Sequence, residues 1–351
     1  FNASRLCCGI LKLTLCMVLK ENLLKKFIFI FALCAPALSA FAQTPVRKVT
    51  SPRLSVASRD FTITSYGAIG DGQVATDCSM TNGSAVLTCT IGRFAASDAG
   101  KVIAVYGAGM LRNGYRQPLA TTISAFTSAN QVTLAAPAQA DTVNSERTVW
   151  GTNNTAAIQA AVDAAADAGG GEVEVPAGHF LTERVVLDCA AVGNFPGYGY
   201  SQPCVRSYGN ISIRGDAALT TTLENWNPDL LLYNGLIDLG RAGEIPVSEL
   251  PGASPFWPPH RLKRIEISGL TLRQVKHPTR GLHPIYSYAT EDVSIHDCHI
   301  YGYSHEGVIM GGGFKSVRWR VFNNVAYEVG KGGPAYGNTT SAYNLNGSYV
   351  E

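Results

Sequence analysis

The side chains best suited to proton transfer are concentrated between residues 276 and 306. Five of the seven histidines lie within 277–305, among lysine, arginine, carboxylate and tyrosine side chains. Histidine exchanges protons near neutral pH, and a nearby carboxylate completes an acid–base pair. We predict acid–base catalysis by His296, Asp297, His305 and Glu306. The residues predicted to hold a substrate are Lys276, Arg280, His283, Tyr286, His299, Tyr301 and Tyr303.

A structural role is the alternative for each of these residues. His296 and His299 would then be ordinary exposed strand residues, and Asp297 would only bond a turn. The lysine and arginine would be solvated charges. His305 and Glu306 fall on a predicted loop, and binding and catalytic residues are disproportionately found on loops.

A repeated pattern of short strands must position these residues. The alternating run Ile265–Leu272 recurs at Val293–Ile300, 28 residues later, and again at Trp319–Ala326, after 26 more. A period of this length in short strands is typical of a solenoid, with apolar side chains inward and polar ones outward. His296 and His299 are therefore expected to point outward. The equivalent positions are Ser268, His296 and Phe322; Gly269, Asp297 and Asn323; and Thr271, His299 and Val325.

Two separated segments form the beginning of this array. Residues 61–72 read FTITSYGAIGDG, a strand followed by a glycine-rich turn, and residues 153–181 read NNTAAIQAAVDAAADAGGGEVEVPAGHFL. The second segment predicts a helix over Thr155–Ala168, capped by Asn153 or Asn154 and followed by an alternating strand. The residues on the apolar face of this helix are Ile158, Ala161, Val162 and Ala165.

Together these segments resemble the N-terminal part of the pectate-lyase-like superfamily, which contains extracellular polysaccharide lyases, glycoside hydrolases and phage tailspikes. The resemblance spans about residues 59–72 and 153–351. It implies an all-β, right-handed parallel β-helix whose first turn is covered by the helix. Asn324 would occupy an inward corner position, where the family often stacks asparagine. Because solenoids need capped ends, we expect further turns beyond Glu351.

In this family, polysaccharides bind along an elongated outer face. A glycoside hydrolase needs two carboxylates, whereas a lyase needs a base and an arginine or calcium ion that neutralises a uronate. The Asn-Thr-Asp, Asp-Asp, Gly-His-Gly and Arg-Ile-Lys motifs of polygalacturonase-like members are absent. We expect no cofactor except calcium in the case of a lyase. Lys276 and Arg280 would hold a uronate carboxylate, and the tyrosines would stack on sugar rings.

Residues 73–152 interrupt the family pattern and predict a small inserted all-β module. Short alternating runs are separated there by turn signals. Asp71, just before the module, is expected to bond turn backbone, and residues 43–58 are read as a linker. The predicted strands of the module are Ala85–Thr90, Lys101–Tyr106, Thr121–Ala125 and Gln131–Ala135.

Residues 1–42 are interpreted as an upstream segment and a secretory signal peptide. A basic stretch precedes the apolar run Phe27–Ala37, and Ala40-Phe41-Ala42 matches a cleavage site. Removing this segment takes away five basic residues and one acidic residue, leaving 23 basic and 25 acidic residues and a formal charge of −2. We therefore expect a secreted protein that binds polysaccharide, has no membrane span in its mature form and has no nucleic-acid partner. The oligomeric state is left open.

The cysteines of the mature chain form two candidate pairs. Cys78 and Cys89 lie on short strands joined by a hairpin signal, and Cys189 and Cys204 flank a glycine- and tyrosine-rich loop. Both pairs are predicted to be disulfides in an oxidising compartment. Cys298 is left over and is expected to be a buried, inert thiol.

Three functions are compatible with these patterns. The first is a secreted lyase or glycoside hydrolase acting on pectin-like or other acidic polysaccharide. The second is a non-catalytic β-helix for polysaccharide binding or adhesion, and the third is a tailspike-like protein. The concentration of histidines favours an enzyme, and the signal peptide argues against a tailspike.

Overall fold

The computed structural model describes residues 60–112, 115–187, 190–191, 204–206, 208–227, 235–239, 262–274, 283–287, 290–302, 309–311, 317–327, 343–344 and 349–350. Within these residues the protein is mostly β, with one α-helix, α1 (Thr155–Asp167), and two short 3-10 helices, Ile63–Tyr66 and Ala96–Asp98. Strands are numbered β1–β28 along the chain.

Three parallel sheets make up most of the structure. The first sheet contains β1 (Asp60–Thr62), β11 (Gly171–Val175), β16 (Ile211–Gly215), β19 (Leu262–Ser268), β22 (Thr290–His296), β25 (Val317–Phe322) and β28 (Tyr349–Val350). The second contains β12 (Gly178–Thr182), β17 (Thr221–Asn225), β20 (Thr271–Arg273), β23 (His299–Tyr301) and β26 (Val325–Tyr327). The third contains β13 (Val185–Leu187), β18 (Gly235–Leu239), β21 (His283–Ser287), β24 (Ile309–Gly311) and β27 (Tyr343–Asn344).

From β11 onward, the chain visits the three sheets in the same order on every turn. Equivalent residues of successive turns pair in register, as predicted from the repeated pattern. In the first sheet, one core column contains Val173, Ile213, Ile267, Ile295 and Val321. The first four are buried, and Val321 packs against them. The alternation of apolar and polar residues therefore sets the register, because a slip of one residue would turn the core column outward.

Tight corners join the first sheet to the second. Gly269, Asp297 and Asn323 occupy equivalent corner positions and all have positive φ, at 67°, 55° and 53°. Glycine, asparagine and aspartate tolerate this conformation best. Next to this corner, Asn324 accepts a hydrogen bond from the amide of Cys298 at 2.9 Å and donates one to the carbonyl of Ile295 at 2.8 Å. The predicted inward corner position of Asn324 agrees with these bonds to the preceding turn.

Helix α1 packs on the beginning of the parallel array. Its apolar face is buried as predicted, and the helix contacts β1, β11 and β13. Its capping differs in detail from the prediction. Asn153 Oδ1 accepts the amide of Thr155 at 3.0 Å. Asn154 instead bonds both backbone groups of Ile69, accepting its N–H at 2.7 Å and donating to its carbonyl at 3.0 Å.

The two ends of the 73–152 insertion meet beside β12. The amide of Gly72 donates to the carbonyl of His179 at 2.8 Å, and the amide of Asn154 donates to the carbonyl of Leu181 at 2.8 Å. Asp71 links both ends, because its carboxylate accepts the amide of Thr152 at 2.8 Å. The chain therefore leaves and rejoins the array at neighbouring points, and this arrangement accommodates the inserted residues without displacing strands.

The inserted residues form a separate antiparallel sheet of seven strands with its own core. We call it the antiparallel module. Its strands, in sheet order, are β2 (Gln73–Ala75), β10 (Thr148–Gly151), β5 (Val102–Val105), β8 (Leu119–Ser128), β9 (Gln131–Leu134), β4 (Val86–Cys89) and β3 (Cys78–Met80). The four runs predicted as strands are strands. Two small pairs complete the described elements: β6 (Leu111–Arg112) with β7 (Tyr115–Arg116), and β14 (Ala190–Ala191) with β15 (Cys204–Arg206).

The disulfide between Cys78 and Cys89 is confirmed and joins β3 to β4. Cys298 is buried as a free thiol, and its burial raises the pKa to about 12, in line with the expected inert state. Cys189 and the side chain of Cys204 lie outside the described residues, so the second predicted disulfide stays a prediction.

Removing the disulfide should destabilise the antiparallel module. Its cysteines are 11 residues apart, and a loop of this size contributes about 2–3 kcal/mol in the chain-entropy model. A Cys78→Ala/Cys89→Ala variant should therefore unfold at lower urea concentration than the wild type. Reductant should lower the wild-type midpoint more than that of the variant, in which only the predicted Cys189–Cys204 pair could still be reduced. A wild-type midpoint that does not move on full reduction would contradict the expectation.

Candidate active site

The outer face of the first sheet carries two columns of side chains that are all polar except Phe322. Within each column, successive residues lie on neighbouring strands, and serines alternate with or adjoin charged side chains. One column is Glu172, Ser212, Glu266, Ser294 and Arg320. The other is Glu174, Arg214, Ser268, His296 and Phe322. Glu266 and His296 are diagonal neighbours in these columns, and their side chains meet.

The imidazole of His296 lies between two carboxylates. Its Nδ1 is 2.7 Å from Oδ2 of Asp297, and its Nε2 is 3.4 Å from Oε1 of Glu266. The ring is stacked on Phe322 with a centroid distance of 4.8 Å and an interplanar angle of 9°. The His296 side chain is 15% exposed and that of Asp297 is 50% exposed. This cluster therefore combines an oriented imidazole with access to solvent.

The charges of the cluster stabilise the protonated imidazole. The interaction with Glu266 is the main cause that raises the pKa of His296, and the contact with Asp297 adds to it against the effect of burial. In turn, the hydrogen bond with His296 lowers the pKa of Glu266. A histidine whose charged form is stabilised in this way is suited to donate a proton to a leaving group.

Asp297 has a structural role as well as its contact with His296. It occupies the left-handed corner described above, and Asn323 Nδ2 donates a hydrogen bond to its Oδ1. Burial opposes ionisation of Asp297, but the hydrogen bonds from His296 and Asn323 outweigh it and lower the pKa. Asp297 therefore contacts the histidine and the next turn of the array, and its part in catalysis stays a prediction.

Glu266 was missed in the sequence, although its position there carries a signal. It is the outward residue between Ile265 and Ile267, one strand before His296 in the array. Oγ of Ser268 is 3.4 Å from Oε1 of Glu266, and the charge of Arg214 helps to keep the pKa of Glu266 low. In the repeat alignment, Glu266 and His296 are diagonal neighbours rather than members of one column, and this diagonal is the signal that points to Glu266.

On the outer face of the second sheet, Arg273, Tyr301 and Tyr327 form one column, and His299 lies beside it. We call these four residues the tyrosine ladder. The Arg273 guanidinium lies 3.6 Å above the Tyr301 ring. Tyr301 stacks on Tyr327 at 4.4 Å with an interplanar angle of 11°, and His299 contacts Tyr327 edge-on at 5.7 Å. Tyr301 therefore has both ring faces occupied, and only its edge and hydroxyl can contact a ligand.

The remaining candidates divide into buried residues and residues outside the described part. His283 is 0% exposed and Tyr286 is 2% exposed, and their rings stack at 5.6 Å. Their side chains are therefore buried, and this burial corrects the prediction that they hold a substrate at the surface. The candidates outside the described residues are Lys276, Arg280, Tyr303, His305 and Glu306.

A second charged cluster joins the antiparallel module to the second sheet. Glu224 is fully buried, and Arg147 binds both of its carboxylate oxygens, at 2.6 and 2.5 Å. His179 Nε2 lies 2.9 Å from the same carboxylate. Burial would raise the pKa of Glu224, but the hydrogen bond with His179 and the charge and bonds of Arg147 lower it to about 2. Because Glu224 is closed to solvent, this cluster is structural.

Neither a metal-binding group nor a membrane-spanning helix is found among the described residues. No three or more histidine, cysteine, aspartate and glutamate side chains in that part converge as metal ligands would. None of its helices is long and apolar enough to cross a bilayer. Calcium binding stays a prediction.

No family model matches the chain, and no curated protein matches it. A protein from Parabacteroides merdae, provisionally assigned to the glycosyl hydrolases, is 16% identical, with a TM-score of 0.35 over 56% of this chain and 75% of its own. The catalytic unit of a GH87 α-1,3-glucanase from Streptomyces thermodiastaticus is 10% identical, with a TM-score of 0.26 over 81% of this chain and 62% of its own.

The tailspike protein gp49 of Pseudomonas phage LKA1 is 12% identical, with a TM-score of 0.21 over 74% of this chain and 45% of its own. The chain thus spans less than two thirds of the glucanase unit and of the tailspike. At these identities and TM-scores, the similarities carry no argument about reaction or ligand.

Proposed function

We propose that this protein is a secreted, carbohydrate-active enzyme built on a right-handed parallel β-helix of the pectate-lyase-like kind. The repeated order in which successive strands join the three parallel sheets supports this architecture. The leader pattern in residues 1–42 supports secretion. The substrate class that we propose is pectin-like or other acidic polysaccharide, cleaved by elimination or hydrolysis.

The enzymatic proposal rests on the position of the His296 imidazole between the carboxylates of Glu266 and Asp297. In its protonated form it would donate a proton to the leaving glycosidic oxygen, as either reaction requires. Asp297 and Glu266 would orient the ring and hold the proton before transfer. Arg214 lies on the same polar column, two strands away, where an acidic sugar bound along the face would reach it.

One observation favours a binding protein as the second candidate. Both ring nitrogens of His296 already face carboxylates, so a substrate must displace one of them before a proton can be transferred. If these contacts persist with bound ligand, His296 only stabilises the outer face, and the chain binds polysaccharide without cleaving it.

The product of the reaction would decide between these functions. The complete secreted chain would be incubated with polygalacturonate, alginate, xylan and a neutral glucan. Both the ultraviolet absorbance of unsaturated sugars and the release of reducing ends would be followed. Both signals together would identify a lyase, and reducing ends alone a hydrolase. Binding without either signal would identify a binding protein and overturn the enzymatic proposal.

A further inference from the structure

The antiparallel module covers one part of the outer face of the second sheet, and the tyrosine ladder occupies another. Its first two strands, β12 and β17, are covered by the antiparallel module. There Leu181 and Trp226 are buried in one cluster with Val102, Ala104 and Val149 of the module. The next three strands, β20, β23 and β26, carry the tyrosine ladder. Arg273 is the register partner of Glu224, so the ladder begins one strand beyond the module contact.

Three polar groups of the ladder, those of Tyr301, Tyr327 and His299, form no hydrogen bond within the part of the chain that the structure describes. Among the described residues, the hydroxyls of Tyr301 and Tyr327 and the imidazole of His299 form ring contacts but no hydrogen bond. All three side chains are partly exposed. Within the described part of the chain, these three polar groups therefore lie on a stacked aromatic surface beside the antiparallel module and are open to a ligand.

We propose that the tyrosine ladder is a second polysaccharide-binding face, separate from the His296 site and bounded by the antiparallel module. This inference rests on the proposed function. Amphipathic aromatic side chains with free polar tips suit sugars, which combine apolar C–H surfaces with hydroxyls. Successive phenols lie one strand apart, about 4.8 Å, close to the length of one hexose in an extended chain.

The ladder recognises sugar through ring edges and hydroxyls rather than by open stacking. Arg273 and Tyr327 occupy the two faces of Tyr301, and this packing holds the phenols in fixed orientations. A preorganised set of donors loses little conformational freedom on binding. His296 lies on the first sheet and His299 on the second, with the tight corner at Asp297 and Cys298 between them. A chain bound to the ladder therefore leaves the His296 face accessible to another segment.

The test removes the hydroxyls and keeps the stack. The Tyr301→Phe/Tyr327→Phe variant of the complete chain would be compared with wild type by calorimetric titration with polygalacturonate, alginate and xylan. Losing two hydrogen bonds should weaken affinity about tenfold for the polysaccharide that the wild type binds. Tyr66→Phe is the matched control, because Tyr66 is a 36% exposed tyrosine outside the ladder, and its affinity should equal that of the wild type.

The outcomes separate this inference from the proposed function. Unchanged affinity of the double variant overturns the ladder site, whether or not the wild type cleaves the polysaccharide. If the double variant loses affinity and the wild type cleaves none of the polysaccharides, the ladder site is supported and the enzymatic proposal is overturned. A change in sedimentation with unchanged affinity assigns the face to a second copy of the chain and overturns the proposal. A wild type that binds none of the three polysaccharides overturns both.

Discussion

Replacing His296 with glutamine should lower turnover of the cleaved polysaccharide by about 10²–10⁴-fold, the range of general acid–base catalysis. Glutamine preserves polar contacts but cannot transfer the proton. Its effect should fall on kcat, since binding along the outer face depends on many other groups. Initial rates at saturating polysaccharide measure this directly.

Two further variants sharpen this experiment. Asp297→Asn keeps a residue type that tolerates the left-handed corner and removes only the charge beside His296, so it should lower activity less than His296→Gln. Lys263→Gln changes an exposed side chain on the same sheet, paired with Glu291 at 3.4 Å, and should leave turnover unchanged. Normal turnover in the His296→Gln variant would place the active site elsewhere on the chain.

The pH profile follows from the direction of the pKa shift. Glu266, with Asp297, holds the pKa of His296 above its ordinary value of 6.5. A proton donor of this kind stays charged at and below that value, and its contribution is lost as the pH rises through the raised pKa. Activity should therefore fall on the alkaline side. In a Glu266→Gln variant the fall should begin at lower pH, because the main stabilising charge is gone.

Replacing Glu224 with glutamine should destabilise the protein by about 3–5 kcal/mol, as expected when one partner of a buried ion pair is removed. Arg147 would keep its charge in a site where it is only 18% exposed, and the bidentate contact would be lost. Urea unfolding of wild type and variant would measure the difference. Glu172→Gln is the matched control: its partly exposed pair with Arg214, at 3.4 Å, should contribute at most about 1 kcal/mol.

The contribution of Glu224 should also depend on pH in a defined window. The folded-state pKa of about 2 is below the ordinary value of 4.5. For a depressed carboxyl group, stability is fully present above the unfolded pKa and is lost as the pH falls toward the folded one. The difference between wild type and the Glu224→Gln variant should therefore be constant above about pH 4.5 and shrink toward pH 2. A difference independent of pH in that range would show that the charge of Glu224 does not stabilise the fold.

Much of the strand array could be predicted because its pattern is local. The repeats at Ile265, Val293 and Trp319 give the register that the structure shows. The alternation of apolar and polar residues fixes which side chains face the core, since a slip of one residue would expose the whole column. Helix α1 and the hairpin disulfide were predictable for the same reason, since both depend on residues close together in the chain.

The candidate site was only partly predictable. His296 and Asp297 are adjacent in the sequence, and their contact is local. Glu266 reaches His296 from the preceding turn, 30 residues earlier, on a diagonal that depends on side-chain length and direction. The burial of His283 and Tyr286 likewise depends on what packs around their strand, which residue type and spacing do not reveal.

By itself the sequence determined the periodic strands, the covering helix, the interrupted beginning of the array and the Cys78–Cys89 pair. Each of these follows from hydrophobic periodicity or turn chemistry over a few residues. Only the tertiary structure decided that Glu266 contacts His296 and stabilises its protonated form. The same holds for the binding of Glu224 by Arg147 of the module and for the stacking of Tyr301 on Tyr327 beside the module. These contacts join residues far apart in the chain. The first and third form because parallel strands bring successive turns within about 4.8 Å of one another, and the second forms because the module packs on the second sheet.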